Sequence, residues 1–190
     1  MFLTKRPSAA EIDKFLEKSN SLDLSYRPVG LVNICPASFD LDEATTTIGR
    51  GPEAFARAKT ALLHWRHFEL GWVELFPPDA AIEIGTTVAV LIQHLGFWSL
   101  NGGRVVLALG DQDGQRFGFA YGTLMNHAET GEESFEVSIS PQSEEVRYQI
   151  RAASRPRATL ARVGYPLVRM LQARFRRDSM AAMHRAIAAP

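Results

Sequence analysis

Apolar residues along this chain recur in two rhythms, and the change from one to the other divides it. Between Ser8 and Ser19, Ile12, Phe15 and Leu16 fall three and four apart, which predicts a short helix. Ser8 is its expected N-cap, and Glu11, three residues on, completes a capping box. A second helix is expected to open at Gly51-Pro52, where proline suits a first turn. It carries Phe55, Ala58, Leu62 and Trp65 on one face and continues through Arg66 and His67. Between the two helices Pro28, Gly30 and Pro36 break the pattern, with Leu31–Ile34 expected as a short strand. Pro77-Pro78 closes the segment after the second helix.

From Ile82 the period becomes two. Thr86–Leu95 is apolar on both faces, as in a central strand, and Arg104–Leu109 is a second β-rich run. After the turn Gly110–Gly114, Phe117, Phe119 and Tyr121 alternate with Gly118, Ala120 and Gly122, an aromatic face backed by a bare one. Phe135, Val137 and Ile139 alternate with polar residues, and so do Val146, Tyr148 and Ile150 beyond a turn at Pro141–Glu144. Short turns between successive strands imply an antiparallel meander. A long helix begins near Arg157 or after Gly164-Tyr165, with Leu167, Leu171 and Phe175 inward and Arg162, Arg169 and Arg176 on the opposite face. The expectation is an α+β fold in one domain over residues 1–190. It comprises a helix and lead-in at 1–20, a curved antiparallel meander at 82–154, and a gripped helix at 157–188. The helix is expected to cover the bare Gly118/Ala120/Gly122 face.

Composition adds bounds. Hydrophobic content of 46% and charged content of 22% are those of an ordinary globular chain. A lone cysteine, Cys35, excludes an internal disulfide framework, and no apolar stretch is long enough to span a bilayer. Residues 1–20 are too interrupted by charge to form a signal-peptide core, so a cytoplasmic, soluble protein is expected. Net charge is zero, yet eight arginines from Arg155 onward face Asp178 alone. The simpler reading is that this basic helix balances its own acidic sheet; the alternative is contact with an anionic surface such as a membrane. No nucleic-acid partner is expected.

Motifs are sparse. Gly49-Arg50-Gly51-Pro52-Glu53-Ala54 matches a dinucleotide fingerprint as a string but lacks the βαβ setting that the fingerprint requires. His127, Glu129, Glu132 and Glu133 could contact a cation, but they read more simply as a solvated loop, and neither a metal nor a cofactor is expected. No residue carries a nucleophile or acid–base signature from which a catalytic role can be assigned.

In order along the chain, the string Ile48-Gly49-Arg50-Gly51, Trp65-Arg66-His67-Phe68, Leu95-Gly96, Arg104-Val105-Val106 and Gly118–Leu124 is recognisable. So are His127, Glu129, Gly131-Glu132-Glu133, Phe135, Ser154-Arg155-Pro156, Gly164-Tyr165-Pro166, Gln172 and Arg174-Phe175. Over nearly its whole length the chain resembles the family known as domain of unknown function 1990. That family is similar to the helix-grip (START-like) folds, in which a curved sheet holds a C-terminal helix over a cavity. The usual proline and glycine before the loop histidine are replaced here by Met125-Asn126. The resemblance implies a fold and a place for a ligand, and no activity.

Three functions compete: a small-molecule or lipid-binding module with an apolar pocket, an enzyme using the same pocket, and a peripheral protein docking through its arginines. The first leads, with an apolar or anionic small molecule as partner. The pocket is expected to be lined by Trp65, His67, Arg104, Tyr121 and His127, with Glu129 and Glu132 at its mouth. Arg104 would anchor an anionic group.

Overall fold

A computed structural model describes residues 1–111, 113–156 and 165–188. In chain order the elements are β1 (Phe2–Leu3), α1 (Ala9–Asn20), α2 (Leu31–Ile34), β2 (Asp40–Arg50), α3 (Gly51–Leu63) and β3 (Val73–Phe76). Next come β4 (Thr87–Gln93), β5 (Trp98–Gly110), β6 (Arg116–Thr123), β7 (Glu129–Ile139), β8 (Glu145–Pro156) and α4 (Tyr165–Ala188). All strands join one antiparallel sheet in the order β2-β8-β7-β6-β5-β4-β3, with β1 added to β5. The fold is therefore α+β, a meander crossed by a long C-terminal helix.

The sheet is covered unequally on its two faces. Val88 and Val90 of β4, Phe119 of β6, Phe135 of β7 and Tyr148 of β8 point inward, where α3 supplies Phe55 and Leu62 and α4 supplies Met183 and Ile187. On the outer face, Ile12 and Phe15 of α1 cover Ala89, Leu91 and Leu100. The bare face of β6 belongs to this outer side and is filled by the segment around α2, not by the C-terminal helix. Val32 packs on Ala120, and the Tyr26 ring occupies the space that a Cβ on Gly122 would need. Alternation decides this outcome: because the aromatic side faces the core helices, the small side must face away from them.

Local chemistry explains several boundaries. The Ser8–Glu11 capping box forms: the Ser8 N–H donates to Glu11 Oε2 at 2.8 Å, and Ser8 Oγ accepts from the Glu11 N–H at 3.4 Å. α3 does not run on through His67. It stops at Leu63, Trp65 adopts the left-handed conformation, and Arg66–Phe68 forms a short 3-10 turn. Leu31–Ile34 is a helix, not a strand, because Glu132 of β7 accepts the Gly30 and Val32 N–H groups at 2.7 and 3.3 Å.

Arg169 and Arg176 do not face away from the sheet. Both pair with Asp42 of β2, Arg169 through two hydrogen bonds and Arg176 at 3.3 Å. Residues seven apart share one flank of a helix, and here that flank lies against β2. Leu171 and Phe175 pack partly buried on the core. The Leu167 side chain, Arg162 and the expected start at Arg157 lie outside the described residues.

Candidate functional site

A cavity of about 560 Å³ lies between the inner face of the sheet and α4. Its walls are mostly apolar, with Phe68, Trp72, Val90, Ile92, Leu171 and Phe175 among them. Exposed Phe2 and neighbouring Phe97 line it as well, their rings 5.9 Å apart. Trp72 is fixed on its far side, where its indole N–H donates to Asp178 at 3.0 Å and the Arg174 guanidinium lies 4.3 Å over the ring. Volumes in this range accommodate whole small molecules.

Polar groups converge on one end. Glu129 and Glu133 stand two alternations apart on β7, so both carboxylates point inward with Phe135. Tyr121 donates its hydroxyl to Glu133 Oε2 at 3.0 Å. Gln172 of α4 donates to Glu129 Oε1 at 2.8 Å and to Ser154 at 3.2 Å, and its carbonyl accepts from Arg169 at 3.1 Å. The Asp42–Arg169–Arg176 group borders this cluster. At another wall His94 and Ser99 share a hydrogen bond of 2.7 Å, Asn101 donates to Ser99 at 3.0 Å, and Phe97 stacks on His94.

This environment perturbs the acids. Burial, reinforced by Asp42 and opposed by Arg169 and Gln172, pushes the Glu129 carboxyl up to about 7. Glu133 is also pushed up to about 7, first by burial and then by Glu129 and Asp42, against the Tyr121 hydrogen bond and Arg176. Burial raises the Tyr121 phenol well above its ordinary value. Two carboxyls that exchange protons near neutrality inside an apolar cavity are a candidate functional pair.

Of the seven residues expected at the pocket, Tyr121, His127, Glu129 and Glu132 line the cavity and the other three do not. Arg104 lies on the outer face, opposite in parity to inward Val105. There it donates to the Ser19, Asn20 and Leu22 carbonyls at the end of α1 and to Thr87. It tethers a helix and offers no anchor to an anion in the cavity. Trp65 is core, its indole N–H bound to the Ala80 carbonyl at 2.8 Å. His67 is fully buried against Trp65, Phe68 and Phe135, and burial lowers its imidazole to about 3. Glu132 borders the cavity, but its carboxylate accepts from the Tyr26 hydroxyl at 2.7 Å and from the α2 backbone. His127 accepts the Glu129 N–H at 2.9 Å on Nδ1. Glu129 and Glu132 stand on strand β7, not in a loop, since the β6–β7 connection spans residues 124–128 alone.

Sequence reasoning missed Asp42, Trp72, His94, Asn101, Glu133, Gln172, Phe175 and Arg176 as site residues. Glu133 and Trp72 had a signal: Glu133 shares the parity of Phe135, and Trp72 is a large aromatic just before a strand. Asp42 had none, because its strand is recognisable through β8 alone.

A family model described as "Domain of unknown function (DUF1990)" matches residues 25–182. A UPF0548 protein of Dictyostelium discoideum is 32% identical, covering 98% of this chain and 96% of its own. One from Deinococcus radiodurans is 30% identical over 92% of each chain. Among solved structures, a hypothetical protein of Helicobacter pylori superposes with a TM-score of 0.54 at 12% identity, covering 86% of this chain and 95% of that one. The Zhui aromatase/cyclase from Streptomyces sp. R1128 superposes with a TM-score of 0.50 at 17% identity, covering 79% and 94%. These structural likenesses speak for the helix-grip, START-like fold alone.

Proposed function

The chain belongs to the DUF1990 family, and from that premise and the site's geometry we propose that it is a small-molecule-binding protein whose ligand occupies the cavity beneath α4. One observation carries the reading: a cavity of about 560 Å³ with aromatic and aliphatic walls and a few converging polar groups at one end. A packed core has few voids larger than a water molecule, so a space of this size is a feature of the fold. The cavity carboxylates disfavour an anionic ligand, and the cation expected to anchor one, Arg104, is bound on the other face.

The test combines native mass spectrometry of gently purified protein with fluorescence titration of the neutral apolar dye N-phenyl-1-naphthylamine. Ala152, a small residue on the cavity wall between Asp42 of β2 and Glu133 of β7, is replaced by Phe to fill the space. The dye is expected to bind wild type and Arg104→Gln alike and to lose most of its affinity for Ala152→Phe. Equal binding to all three proteins, or no binding to a cooperatively folded wild type, sinks the reading.

A second reading is favoured by Glu133, whose carboxyl titrates near neutrality 3.0 Å from the Tyr121 hydroxyl. That placement suits a general acid or base acting on a bound ligand. It requires that a ligand extracted after incubation differ in mass from the one added.

A further inference from the structure

Among the described residues, the polar end of the cavity carries more carboxylates than guanidiniums. Facing one another there, among the described residues, are Asp42 from β2, Tyr121 from β6, Glu129 and Glu133 from β7, Tyr148 from β8 and Arg169 and Arg176 from α4. His127 also lines the cavity, and its Nδ1 takes the Glu129 N–H. Among the described residues three carboxylates thus meet two guanidiniums, and both guanidiniums pair with Asp42. Glu129 and Glu133 receive neutral donors instead, the Gln172 amide and the Tyr121 hydroxyl. Tyr148 turns its hydroxyl to Ser179 at 2.9 Å.

Burying ionised carboxylates that have only neutral hydrogen-bond donors is costly, and Arg169 and Arg176 offset that cost only in part, so the pair holds a proton. A ligand that brings its own positive charge replaces the proton. Neither a bare metal ion nor a small inorganic cation would fill the apolar walls, and an anion would meet the carboxylates directly. We propose, resting on the reading of the cavity as a ligand site, that its ligand is an amphiphilic monocationic amine. The ammonium N–H groups point at Glu129 and Glu133, and the apolar body lies along Trp72, Leu171 and Phe175. A charged donor on a buried carboxylate is shorter and stronger than the neutral ones now present.

Three matched probes test this: 2-(2-naphthyl)ethylamine, 2-(2-naphthyl)ethanol and 2-naphthylacetate, titrated calorimetrically at pH 8 and pH 5.5. At pH 8 the amine is expected to bind about tenfold or more tightly than the alcohol, and the acetate more weakly than both. The preference shrinks at pH 5.5, where the carboxyls hold protons. Glu133→Gln is expected to weaken the amine at pH 8 by about tenfold and to leave the alcohol within about twofold. Should that variant fail to fold, titrations of wild type near pH 7 in buffers of different ionisation enthalpy decide the matter, because amine binding must then release protons. If the alcohol or acetate binds as tightly as the amine at pH 8, or no proton is released, the amine proposal falls while the cavity reading stands. If none of the three binds, both fall.

Discussion

Between pH 4.5 and about 7 the folded chain holds protons on Glu129 and Glu133 that the unfolded chain gives up. A raised folded pKa makes its contribution fully below the unfolded value and loses it as pH rises through the folded one. Glu133→Gln, which stays neutral, should therefore be more stable than wild type at pH 8, by roughly 1–3 kcal/mol. The two should converge below pH 4.5. Chemical denaturation at both pH values checks this, and a variant less stable than wild type at pH 8 contradicts it. His67 acts in the opposite direction. Its folded value near 3 lies below the ordinary 6.5, so its contribution is present above 6.5 and is lost as pH falls toward 3. His67→Phe should flatten the acid limb of the melting-temperature profile over that window, whatever its effect on the plateau. An unchanged limb would mean that other groups govern acid unfolding. At this scale much was legible in principle. The parity that turns Arg104 outward follows from Val105, and the parity that turns Glu133 inward follows from Phe135. The fate of His67 was not legible, because nothing local distinguishes an imidazole in an aromatic core from one at a pocket.

α4 is held unequally along its length. Met183 and Ile187 are buried in the common core and Ser179 is bound by Tyr148, whereas Val168, Leu171 and Phe175 border the cavity. Met183→Ala should therefore cost about 2–5 kcal/mol. Phe175→Ala removes a larger but only partly buried ring beside existing space, and should cost about 1–3 kcal/mol. Thermal or urea unfolding ranks the pair, and a larger loss for Phe175→Ala would place the grip at the wrong end. The inward stripe through Leu171 and Phe175 was readable from helical spacing, and so were the meander strands from period-two alternation. β2 and α2 were not. β2 carries few apolar residues because it is an edge strand, and its pairing comes from β8. α2 is capped by Glu132, whose distance along the chain hides it from any local pattern.

At the scale of the whole molecule, a cavity is what the elements fail to fill, so no single segment announces it. Composition set the amount of apolar surface, and the crossing of α4 over the sheet left part of that surface unpaired. Hydrogen exchange should reflect this division, with residues 168–176 of α4 protected less than residues 179–187 and gaining protection when a ligand binds. Uniform protection along the helix, unchanged by ligand, would argue against the division. The sheet's topology also sets a schedule for folding. Ala44 of β2 pairs with Ile150 of β8, so the N-terminal edge strand must wait for the rest of the meander. At synthesis rates of about 5–20 residues per second, β2 leaves the ribosome on the order of 5–20 s before its partner. During that interval its backbone donors and acceptors have no strand to meet. Asp40, Asp42 and Glu43 give the waiting segment a like charge that repels other nascent copies. One of these charges, Asp42, later becomes the acceptor for Arg169 and Arg176, so the same carboxylate first guards a nascent chain and then fastens its last helix.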